Sequence, residues 1–94
     1  MKLAQLQMHV YDSVEKNLDQ LARALADLDR EKPDLVALGE MFACPYDTAC
    51  FPRYAEPEGG PLWRALSGLA REHRVWLSAG TVPESAGGRV YNTA

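Results

Sequence analysis

Pro33-Asp34-Leu35-Val36-Ala37-Leu38-Gly39-Glu40 is the stretch on which the fold turns. The apolar residues Leu35 to Leu38 stand between a helix breaker and a glycine. A short apolar run bounded in this way predicts a strand buried in a parallel sheet. Upstream of Pro33, Val14, Leu18, Leu21, Leu25 and Leu28 recur at steps of four and three. They draw one apolar stripe along a helix, with Lys16, Asp19, Gln20, Arg23 and Asp27 off it. Asp12 or Ser13 can cap that helix, and Glu15, three residues after Asp12, resembles a capping box. Earlier still, apolar residues alternate with Gln5 and Gln7, which predicts a strand over residues 2–9. Strand, helix and strand in this order make a βαβ unit with a right-handed crossover.

Downstream, Met41 to Pro57 carries prolines at 45, 52 and 57 and reads as a long loop with one helical turn near Asp47 to Phe51. Glu58-Gly59-Gly60-Pro61 opens a second helix with Pro61 at its first position. Leu62, Ala65, Leu66, Leu69 and Ala70 form its apolar face, and Arg71, His73 and Arg74 gather at its end, where cations suit the helix dipole. Val75 to Gly80 reads as a third strand, which Thr81-Val82-Pro83-Glu84 leaves. Ser85-Ala86-Gly87-Gly88 is a turn, and Arg89 to Ala94 begins a fourth strand. Ala94 falls partway through that strand, so residues 1–94 are read as the N-terminal fragment of a larger domain.

Composition narrows the function. The 94 residues are 47% hydrophobic with a formal charge of −3, which suits a globular chain. Basic residues form no stripe that would track phosphates, so nucleic acid is not an expected partner. Cys44 and Cys50 lie in neither zinc-finger nor CxxC spacing, so no metal site is expected. The opening residues lack a signal-peptide core, and no apolar run is long enough for a membrane. A cytoplasmic protein with free thiols is the expectation.

Ligands of open α/β sheets bind beyond the carboxyl ends of the strands. The loop after residue 9, the loop starting at Glu40 and the turn after Gly80 qualify. Glu40 is the best placed, because it follows a rigid apolar strand. Low-dielectric surroundings at such a place raise a carboxyl pKa toward the range of a general base. From position alone Glu40 reads equally well as a solvated loop acid. A nucleotide-binding βαβ unit needs glycines after its first strand, and Val10-Tyr11-Asp12-Ser13 has none.

Leu38-Gly39-Glu40-Met41-Phe42-Ala43-Cys44-Pro45-Tyr46 resembles the first signature of the carbon–nitrogen hydrolase (nitrilase) superfamily, closest to its omega-amidase-like branch. The resemblance runs the length of the chain. It takes in Leu6-Gln7-Met8, Lys16-Asn17-Leu18, Asp34-Leu35-Val36, Glu58-Gly59-Gly60-Pro61, Gly80-Thr81-Val82-Pro83-Glu84 and Val90-Tyr91-Asn92-Thr93.

It implies an α/β fold, the N-terminal part of a nitrilase-type αββα sandwich in which part of one sheet and two helices are present. It also implies hydrolysis of a small non-peptide amide by a Glu-Lys-Cys triad, without metal or organic cofactor, in a homo-oligomer. By its motif position Glu40 matches the general base. Phe42 and Tyr46 then line the substrate pocket, or else pack in the core. Asn92 is expected to make a structural hydrogen bond. The family's usual proline before the glutamate is Gly39 here, which allows the backbone more freedom. Lys2, Lys16 and Lys32 are not in the lysine motif, and Cys44 lacks a Gly-x-Cys setting and reads as a pocket-wall or buried thiol. Of the triad only Glu40 is therefore expected within residues 1–94. The isolated chain would be inactive, and the alternative is a non-catalytic fragment or interaction piece with an unpaired last strand. His9 and His73 have no motif around them, and Trp63 and Trp76 read as packing residues.

Overall fold

The structure, a computed structural model, describes residues 1–94. Helix α1 (Val14–Leu28) begins at Ser13, whose hydroxyl accepts from the Lys16 N–H at 3.3 Å. Ser13, not Asp12, is thus the cap. The helix tightens into a 3₁₀ turn over Asp29–Glu31, and Lys32, left-handed at φ 48°, ends it just before Pro33. The chain then returns as a strand beside the first one.

Strands β1 (Leu3–Gln5), β2 (Leu35–Ala37) and β3 (Trp76–Ser78) form a parallel sheet in the order β1-β2-β3. Leu3, Leu35 and Trp76 share one row, and Ala4, Val36 and Leu77 the next. The strands are shorter than the expected spans at 2–9 and 75–80. Single bonds from the Leu6 N–H to Ala37 and from the Leu38 N–H to Ser78, both 2.9 Å, carry the ladder one step further.

The expected helical turn lies a few residues downstream, as α2 (Phe51–Tyr54) with Pro52 in its first turn. Helix α3 (Pro61–His73) starts at Pro61 as expected. Glu56 Oε1 accepts from the Leu62 N–H at 2.8 Å and satisfies a donor that the Gly60 cap, lacking a side chain, leaves open. At the far end His73 Nδ1 lies 2.9 Å from Asp29 Oδ1, tying the ends of α1 and α3 together.

Both helices lie over the row of Ala4, Val36 and Leu77, and the core is Leu21, Leu25, Val36, Leu38, Phe42, Ala43 and Leu62. Leu21 and Leu25 are fully buried, each contributing roughly 1.5–3 kcal/mol of transfer free energy.

The last third departs from expectation. Residues read as leaving the sheet form β4 (Val82–Ala86), paired antiparallel with β5 (Arg89–Thr93) in a separate two-stranded sheet. Gly87 and Gly88, at φ 56° and 78°, make the two-residue turn, which requires positive φ at both positions. The last strand is therefore paired. Trp63 and Trp76, expected to pack, are 54% and 78% exposed.

Candidate active site

Leu38, buried, continues β2 toward its carboxyl end, and Gly39 and Glu40 emerge there exposed. A cleft of about 500 Å³ opens at this edge, walled by residues 5–10, Gly39, Glu40 and Phe42. The loop after the first strand and the loop at Glu40 thus face one space. Gln5 and Gln7 are exposed on its wall and need no buried partners. Glu40 lies at the surface of this chain, not in the low-dielectric surroundings expected of it.

The third expected place comes to the same point. Gly80, at φ +64°, packs so closely on Gly39 that a Cβ there would lie 1.9 Å from the Gly39 carbonyl oxygen. Thr81 Oγ1 accepts from the Met41 N–H at 2.9 Å. Met41 is left-handed at φ 53°, which costs a residue with a side chain about 1–3 kcal/mol. Its burial, with 2% exposed, and the Thr81 bond hold it there. Asn92 on β5 donates from Nδ2 to Glu40 Oε2 at 2.9 Å. The expected bond of Asn92 exists, and its partner is the candidate base itself.

Gly39 does not use its freedom. Its φ is not positive, and a Cβ at this position would meet nothing within 4 Å. The contact with Gly80, not a proline ring, confines the backbone before Glu40.

Phe42 is 4% exposed and serves both core and cleft wall. Tyr46 is 69% exposed, sits edge-on to Phe51 at 5.5 Å between centroids, and does not line the cleft with Glu40. Cys44 is fully buried, and burial first, then the neighbouring Cys50, push its thiol above the ordinary value of 9.0. A protonated, inaccessible thiol is no nucleophile. No three His, Cys, Asp or Glu side chains converge as a metal site. A second hollow of about 480 Å³ between α3 and the hairpin is walled in part by Trp63, Leu66, Glu56 and Glu84 and does not include Glu40.

Two residues act where sequence reasoning assigned them no part in the site. Thr81 carried no signal beyond its motif. Asn17 did carry one, since it stands four residues before Leu21 on the apolar stripe. It is 1% exposed, accepts from the Tyr11 N–H (2.7 Å) and donates to the carbonyls of Tyr11 (3.0 Å) and Ala43 (2.9 Å). It joins the loop after β1 to the loop after Glu40, and the buried Ala43 carbonyl left unpaired without it would cost about 1–3 kcal/mol.

The family profile of the carbon–nitrogen hydrolases matches residues 2–94, including every element of this edge. The chain belongs to the carbon–nitrogen hydrolase family. Omega-amidase NIT2 of Mus musculus is 34% identical over 92 residues, covering 98% of this chain and 33% of its own length. Hydrolase C26A3.11 of Schizosaccharomyces pombe is 38% identical over 78 residues, 80% of this chain and 24% of its own. Nit3 of Saccharomyces cerevisiae, a member of branch 10 of the nitrilase superfamily, superposes with a TM-score of 0.87 at 29% identity, over 98% of this chain and 37% of that one. This carbon–nitrogen hydrolase chain spans about a third of the length of the curated omega-amidases it matches, and it has the family's α/β fold, as the N-terminal portion of the domain. None of its helices is long and apolar enough to cross a membrane.

Proposed function

We propose that the protein to which residues 1–94 belong is an amidase that cleaves the C–N bond of a small non-peptide amide of the omega-amide type, with Glu40 as general base. The observation that carries this reading is Glu40 at the end of β2, at the mouth of a cleft and hydrogen-bonded through one carboxylate oxygen. The omega-amidases among its relatives support the substrate class.

In this reading Glu40 takes the proton of a cysteine thiol supplied from outside residues 1–94. The thiolate attacks the amide carbon, and a lysine also from outside residues 1–94 stabilises the oxyanion. Glu40 passes the proton it took to the departing nitrogen as the C–N bond breaks, so that ammonia leaves. Water then resolves the thioester, giving the carboxylic acid and restoring the thiol. Phe42 stiffens the cleft wall, and Tyr46 contributes only if the rest of the domain brings substrate to it. The free thiols Cys44 and Cys50 suit a reducing cytoplasm, and the working form is a homo-oligomer that needs neither cofactor nor nucleic acid.

The test is ammonia release from glutaramate- and succinamate-type amides by the protein carrying the complete domain. Glu40→Gln should fold normally and lose about 10²-fold or more in kcat, the usual scale for a general base. Turnover at the wild-type rate by that variant would remove Glu40 from the chemistry. A second reading concerns residues 1–94 alone, which lack both triad partners and expose Trp76 at 78% and Leu3 at 60%. By themselves they are a non-catalytic piece, and ammonia release by the purified 94-residue chain would overturn that.

A further inference from the structure

We propose that Asn92 is a positioning residue that aims the Glu40 carboxylate, and that the β4–β5 hairpin exists at this edge to carry it. This rests on Glu40 being the base.

The hairpin is not part of the three-stranded sheet, yet it meets the Glu40 segment at both of its ends. At its root, Gly80 abuts the Gly39 carbonyl and Thr81 Oγ1 holds the Met41 N–H. Backbone on either side of Glu40 is thereby fixed. At its return, Asn92, paired in register with Pro83, reaches Glu40 Oε2 with its amide nitrogen. A glutamate at the surface is otherwise free to turn about its side-chain bonds, and ordering such a side chain is entropically unfavourable. The Asn92 bond selects one arrangement in advance. It also divides the carboxylate, since Oε2 is engaged and Oε1 is left to accept a proton. Only the amide nitrogen can face the carboxylate, because the amide oxygen would set two acceptors together.

The experiment uses the protein with its complete domain and has two readouts. In the first, Asn92→Ala and the isosteric Asn92→Asp are compared with wild type on an omega-amide. Both should lose about tenfold or more in kcat while KM stays within about twofold, because the bond serves the reacting base and not substrate binding. Val90→Thr on the same strand should match wild type. In the second, the side-chain amide protons of Asn92 are followed by NMR, and they should shift on Glu40→Gln and stay unmoved on Val90→Thr. Unchanged kcat in both Asn92 variants, a loss confined to KM, or amide protons indifferent to Glu40→Gln would each overturn the proposal. If Asn92→Ala does not fold, the Asn92→Asp kinetics and the NMR comparison still decide it. If wild type releases no ammonia, the functional reading fails by itself, and NMR still tells whether Asn92 holds Glu40.

Discussion

At the scale of single residues, Cys44 and Glu40 show how little sequence proximity says about chemistry. Cys44 follows Glu40 by four positions, yet its sulfur is sealed inside the core while Glu40 stands at the surface. Burial raises the thiol pKa above 9.0, with Cys50 adding to the effect. The consequence for stability has a definite sign. In the unfolded chain the thiol ionises at its ordinary value, while the folded state resists ionisation. The stabilisation Cys44 contributes is therefore complete below pH 9.0 and is lost as pH rises through the higher folded value. Wild type should be more stable than Cys44→Ala at neutral pH, and that gap should narrow at about pH 10. Denaturant midpoints of the two proteins at both pH values measure it, and a gap independent of pH would contradict the buried thiol. The placement of Cys44 was legible because no Gly-x-Cys setting surrounds it. The exposure of Glu40 was not, since an acid after an apolar strand is compatible with either environment.

Among elements, legibility followed periodicity. Helices α1 and α3 were readable because their apolar stripes repeat over 15 and 13 residues. The strands were readable in place but not in length, because a strand extends only as far as its partner pairs, and β2 between them pairs over Leu35–Ala37. Strand β4 was missed because Pro83 and Glu84 look like turn residues. Proline is tolerated there since β4 belongs to a two-stranded sheet and not to a central position. Besides the Thr81 and Asn92 hydrogen bonds, the hairpin is bound to the Glu40 segment by the contact between Gly80 and Gly39, which no pattern reveals. Gly80→Ala would place a methyl group 1.9 Å from the Gly39 oxygen at a positive φ. It should destabilise the fold by at least about 2–3 kcal/mol, combining backbone strain with a clash that neither backbone can easily yield to. Thermal unfolding checks this, and an unchanged midpoint would mean that hairpin and strand end do not meet as described.

Across the whole molecule, the row Ala4, Val36 and Leu77 lies under the helices, whereas Leu3, half-buried Leu35 and Trp76 face the other way. Parallel sheets are ordinarily covered on both faces, so one face here lacks its layer. An αββα sandwich supplies that layer from a second sheet, and the relatives are about three times as long as this chain. The two settings predict opposite outcomes for one substitution. In residues 1–94 alone Trp76 is 78% exposed, so Trp76→Lys should leave the fold intact and reduce concentration-dependent self-association through the open face and edge. In the complete domain the same lysine would meet the second sheet and should cost about 3–5 kcal/mol, from the lost aromatic packing and the desolvated charge. Sedimentation of the short chain and unfolding of the complete domain read the two effects. A complete domain indifferent to Trp76→Lys would mean that this face stays open, and that the layer missing over β1, β2 and β3 packs elsewhere.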